Sequence, residues 1–154
     1  MDYDEPLPKV LQRLKQEHKE LHQKLLRIER LAADGDLKVV ITELAVIMPL
    51  VLRHTIEEEA RLMRPIMWEF EAKSVDSIII LRHHRAVVEF LEHKLPKLET
   101  LPERVARREV GVFVKELFKH QREEEEILFP LALKANSIHE RRHRSRWKPN
   151  HLTS

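Results

Sequence analysis

The sequence predicts an all-α chain, an up-down-up-down four-helix bundle built from two repeated helix hairpins. Three observations predict it. Two of the 154 residues are glycine while 35% are charged, a composition that favours helices. Apolar residues recur at threes, fours and sevens in four successive segments, the period of helices with one buried face. Short stretches of turn-forming residues separate those segments, and short connections make consecutive helices antiparallel neighbours.

The first helix starts at Leu7 and carries Leu11, Leu14, Leu21, Leu25 and Ile28 on one stripe. Asp34-Gly35-Asp36 ends it, with Gly35 expected as a left-handed cap and Asp36 as the N-cap of the next helix. The second runs from about Leu37 to about Phe70, with a kink expected at Pro49 and a kink or stop at Pro65. Ser74 is placed to cap the third, from Val75 to Lys94, which Leu95-Pro96 closes. Thr100-Leu101-Pro102-Glu103 has the form of a capping box and opens the fourth, expected to reach about Ala135. Residues 1–138 then form the bundle, and residues 139–154 a basic, flexible C-terminal tail.

Composition excludes several kinds of chemistry. Without cysteine there is no disulfide framework, iron–sulfur cluster, thiolate zinc site or cysteine nucleophile. No Gly-rich phosphate loop is present. The acidic start is unlike a signal peptide, and no run approaches 18 consecutive apolar residues, so no membrane span and a cytoplasmic location are expected. Five of the 28 basic residues but only one of the 26 acidic ones fall in 139–154. The body therefore has no basic bias toward nucleic acid.

The histidines and glutamates repeat. His18 and His84 are 66 residues apart, as are His54 and His120, and Glu58 and Glu124. Apolar positions follow the same shift: Leu21 falls on Val87, Leu25 on Leu91, Ile47 on Phe113, Leu62 on Leu128. Ala45 falls on Gly111, a pair that marks either a close helix approach or room for a small ligand. Each half contributes one His from its first helix and His-x-x-x-Glu from its second. At 100° per residue the two members of that motif lie about 40° apart, so both face one centre. That centre lies within the apolar stripes: Leu44, Ile47, Leu50 and Val51 beside His54, and Val110, Phe113, Leu117, Ile127 and Leu131 beside His120.

Two inward carboxylates with no inward Lys or Arg are costly to bury unless they coordinate a metal. Arg61, one turn beyond Glu58, is the nearest base, and Ile127 stands at its repeat position. Two carboxylates suit two bridged ions, with imidazoles as terminal ligands, and a nitrogen–oxygen set suits iron, with manganese or zinc possible. The inward Glu-x-x-His pairs of ferritin-like sites and the His-Glu-x-x-His of zinc proteases are both missing.

In these strings the sequence resembles the hemerythrin-like, or HHE cation-binding, domains. The matching strings are Glu17-His18-Lys-Glu-Leu21, His54-Thr-Ile-Glu-Glu58-Glu, His84-Arg-Ala-Val87 and His120-Gln-Arg-Glu-Glu124-Glu-Glu-Ile-Leu-Phe129-Pro130. The resemblance covers roughly residues 10–135. It implies a non-haem di-iron centre that binds oxygen, nitric oxide or iron itself, and marks His18, His54, Glu58, His84, His120 and Glu124 as ligands. Oxygen-carrying hemerythrins have His-x-x-x-His on the third helix. Here Val88 follows His84 by four, while the first helix carries His18-x-x-x-His22, so His22 is the candidate fifth histidine.

The expected function is binding of a diatomic ligand, oxygen or nitric oxide, for sensing, storage or stress protection. Two alternatives stand beside it: a di-iron enzyme reducing nitric oxide or peroxide, and a metal-stabilised interaction module acting through the basic tail. His83, His93, His139 and His143 are expected outside the ligand set, and Glu43, Thr55 and Gln121 are candidate supporting groups.

Overall fold

The computed structural model describes residues 1–70 and 75–146; the expected Ser74 cap and Trp147 lie outside them. All regular elements among these residues are helical. In chain order they are α1 (Leu7–Asp34), α2 (Leu37–Glu58), α3 (Arg64–Glu69), α4 (Val75–Glu89), α5 (Glu103–Glu123) and α6 (Phe129–Arg146). A π turn over Glu59–Met63 joins α2 to α3, and another over Glu124–Leu128 joins α5 to α6. A third, Phe90–Lys94, extends α4 into a 3₁₀ turn over Leu95–Thr100. The six segments thus make four long helices.

Side-chain pairs set their directions. Arg27–Glu43 and Arg13–Glu57 run in opposite senses along α1 and α2. Lys94–Glu109 and His83–Glu123 do the same for α4 and α5. Within each hairpin the two helices are therefore antiparallel, an arrangement compatible with the expected four-helix bundle.

Several local expectations change. Gly35 is extended, at φ −99°, and not left-handed. It is glycine because an added Cβ would lie 2.6 Å from Leu31 Cδ2 and 2.9 Å from Leu31 Cα. Asp36 caps α2 as expected, accepting from the Lys38 amide at 2.9 Å. Thr100 caps no helix; its hydroxyl donates to Lys97 O, and α5 starts after Pro102 without a side-chain cap. Pro65 does not stop its helix. It falls in the first turn of α3, immediately after a π turn, where the wider ladder accommodates the missing N–H. Pro130 sits in the same way after the π turn of the fourth helix. That helix continues to Arg146, well past Ala135, so residues 139–146 begin as helix. Arg142 pairs with Glu69 at 2.8 Å.

Gly111 has open space where a Cβ would be, so it marks no close helix approach. The extra residue of the last π turn re-phases the buried face. Leu128, Phe129 and Ala132 are buried, while Ile127, expected in the stripe, is exposed.

The stretch Leu37–Glu69 is long and apolar enough to cross a membrane by length and composition alone. Its Val40, Leu44, Ile47 and Val51 are buried in the core.

That core is divided. One apolar cluster joins Leu25, Ile28, Leu44, Ile47, Leu91, Phe113 and Leu117, among others. The other joins Val10, Leu14, Leu62, Ile66, Ile80, Leu128 and Phe129. Between them in sequence position on each helix lies a buried polar layer: Glu17, His18, His54, Thr55, Glu57, Glu58, His84, His120, Gln121 and Glu124.

Candidate metal centre

Each long helix delivers its share of this layer from mid-length, where neighbouring turns fix the backbone. α1 brings His18, α2 His54 and Glu58, α4 His84, and α5 His120. Glu124 opens the last π turn. All six are buried, and the two glutamates are 1% exposed.

His18, His54, Glu58 and Glu124 each offer one ligand atom, and these lie within 4.8 Å of one another. His84, His120 and Glu124 form a second such group. Both carboxylates reach across the two histidine pairs. Glu58 Oε1 is 3.1 Å from His54 Nε2 and 3.6 Å from His84 Nε2. Glu124 Oε1 is 3.5 Å from His18 Nε2 and 3.3 Å from His120 Nε2, and its Oε2 is 3.4 Å from His84 Nε2.

The outer nitrogens decide what the inner ones can do. His54 Nδ1 donates to Glu17 at 3.2 Å, His18 Nδ1 to Glu125 at 3.1 Å, and His84 Nδ1 to Glu59 at 3.1 Å. A neutral imidazole anchored this way presents its Nε2 lone pair to the interior. His54 Nε2 and His18 Nε2 are nevertheless 2.9 Å apart. Two lone pairs at that distance repel unless a proton or a metal cation lies between them. Glu58 Oε2 and His120 Nε2 are buried with no hydrogen-bond partner; His120 Nε2 is near Glu124 but not aligned with it. Convergent nitrogen and carboxylate donors with unpartnered atoms fit a bound cation.

The protonation behaviour without metal follows the same charges. Burial depresses His54, but the Glu58 charge and the hydrogen bonds to Glu17 and Glu58 override it and push it up to about 9. Burial and the neighbouring histidines His84, His83, His18 and His54 push His120 down to about 2. Burial likewise lowers His18 against the pull of Glu58 and Glu125. Burial would raise Glu17, yet its hydrogen bond to His54 and the His54 charge hold it below the usual carboxylate range.

The other candidates sit elsewhere. His22 is exposed, its ring 4.7 Å from that of Phe118, and it offers no atom to either group. Arg61 turns away to the N-terminal segment, donating to the carbonyls of Asp2 and Glu5. Glu43 pairs with Arg27, away from the layer. Thr55 and Gln121, a repeat pair, are buried beside the ligand set. Phe129 stacks on His18 with centroids 5.6 Å apart. His83 is closer to the site than expected: its Nδ1 is 3.4 Å from His120 Nδ1 and 3.4 Å from Glu123 Oε2.

Sequence reasoning missed the backing carboxylates Glu17, Glu59 and Glu125. The repeat carried a signal for two of them, since Glu59 and Glu125 are 66 residues apart and back the repeat-related His84 and His18.

Comparison of the chain with known protein families, curated proteins and solved structures gives no match.

Proposed function

We propose that this chain is a hemerythrin-like, non-haem di-iron protein that binds a diatomic ligand such as oxygen or nitric oxide. One observation carries the metal reading: His18 Nε2 and His54 Nε2 converge at 2.9 Å while their Nδ1 atoms face Glu125 and Glu17. His18 and His54 would serve one metal position and His84 and His120 the other, with Glu58 and Glu124 between them. Iron suits a set of imidazole and carboxylate donors without sulfur, and when bound it supplies redox capacity and an open coordination position. The protein's own part is to orient the imidazoles through their Nδ1 partners and to surround the layer with apolar clusters that exclude water.

Metal analysis of untagged protein tests this. Two iron ions per chain are expected, one per histidine pair, and removing them should lower the melting temperature. A ligand at about 1,000 times its Kd stabilises the folded state by about 4 kcal/mol. Protein that holds no metal, and whose melting temperature does not move when iron is added, overturns the reading.

A further inference from the structure

The 66-residue shift that superposes the ligands breaks at one position behind them. Glu17, which accepts from His54 Nδ1 at 3.2 Å, has His83 as its repeat mate. His83 occupies the same place behind His120, with Nδ1 3.4 Å from Nδ1. The other backing pair is unchanged between halves, Glu125 on His18 and Glu59 on His84. The halves thus differ in one partner: an anion behind His54, an imidazole behind His120.

That difference acts on the metal through the ring. A carboxylate on the outer nitrogen strengthens the inner one as a donor, and losing such a partner typically costs about 10–100-fold in metal affinity. Arg13 and Arg53, 3.8 and 3.6 Å from Glu17 Oε1, favour its ionised form and leave Oε2 for His54. On the other side Glu123 pairs with His83, and among the described residues no carboxylate hydrogen-bonds His120 Nδ1. The ligand groups lean the same way: four residues converge around His18 and His54, three around His84 and His120. A cavity of about 160 Å³ between α4 and α5 adds to the contrast. It is half open to solvent, lined by Val87, Phe90 and Phe113 but also by Lys94, Glu109 and Glu116, and it reaches His83 and His120.

We infer that the two metal positions are unequal by construction. The His18/His54 position fills first and holds its ion, whereas the His84/His120 position, backed by His83 and bordering the cavity, fills second and exchanges. This rests on the di-metal reading above. It adds an order of loading and the side from which a small ligand approaches.

Calorimetric titration of metal-free protein with Co(II), in competition with a chelator, tests it. The wild type should show two steps separated by about 10–100-fold. His120→Ala should remove the weaker step and His54→Ala the tighter one. His83→Glu, which copies Glu17 onto the second half, should tighten the second step toward the first. Glu17→Gln should weaken the first step by about 10–100-fold; it changes one atom and carries the test if His83→Glu does not fold. Two steps of equal affinity, or a first step lost in His120→Ala and kept in His54→Ala, overturn the inference and leave the di-metal reading standing. Protein that binds no Co(II) at all overturns both.

Discussion

The two hairpins present the same buried histidines and glutamates and support them differently. In the first, Arg13 bridges Glu57 and Glu5 and lies near Glu17, and Glu17 holds His54. In the second, Ile79 stands at the repeat position of Arg13 and His83 at that of Glu17. These candidate ligands share one centre, where the cost of burying charge acts equally on both halves. The groups behind them sit in unequal surroundings: Glu17 is buried, His83 and Glu59 are half-buried and Glu125 is exposed. A repeat can therefore keep its centre symmetric while its periphery makes the two sides unequal.

The largest expected effect probes the centre. Glu124 belongs to both ligand groups and Glu58 to one. Glu124→Ala should empty both metal positions, and Glu58→Ala should cost mainly the His18/His54 position. Metal-to-protein ratios after dialysis check this; equal losses would break the distinction between the two carboxylates.

The periphery comes next. Arg13→Leu leaves the buried Glu57 without its cation, and about 2 kcal/mol of stability should be lost, since removing one partner strands the other. Ile79→Ala, at the repeat position on an exposed site, should change stability by less than about 0.5 kcal/mol. Urea denaturation measures both.

His54 and His120 should also respond to pH in opposite directions in metal-free protein. His54, raised from 6.5 to about 9, contributes stability that is full below pH 6.5 and lost as pH rises through 9. His120, lowered to about 2, is held neutral while the unfolded chain takes up a proton, so stability is lost as pH falls from 6.5 toward 2. Glu17→Gln should shrink the alkaline limb, since Glu58 still raises His54, and should also remove the part of the acid limb that comes from Glu17 itself, while His120→Gln should shrink the acid limb and leave the alkaline one. Denaturant midpoints across pH show which limb moves.

The smallest effect concerns the turns that open each hairpin's second helix. Asp36→Ala removes an N-cap and should cost about 1 kcal/mol. Thr100→Ala, at the corresponding place in the second hairpin, caps no helix and should cost about half as much or less. Thermal melts of the two variants compare them.

The six central histidines and glutamates were legible because each sits on a periodic stripe and each half repeats the other. Their Nδ1 partners were not, because Glu125 backs His18 from 107 residues away and only packing brings them together. Periodicity placed His22 about 40° from His18 on the inward side. The stripe's edge falls there, and Phe118 meets an exposed ring. Pro65 read as a kink or stop because the interior of an α-helix cannot absorb it; a π turn can, and the one at Glu124–Leu128, ahead of Pro130, also moved Ile127 out of the core. The basic composition after residue 138 concealed a helix that Arg142 ties back to Glu69.

The two π turns beside Glu58 and Glu124 have one more consequence. A straight α-helix has a single phase, so the residues that aim its ligands would also dictate which residues face the core beyond them. One extra residue in the ladder cancels that obligation. Each of these helices then behaves as two words with separate spelling, and the distal cluster can change its packing partners without turning an imidazole or a carboxylate away from the centre.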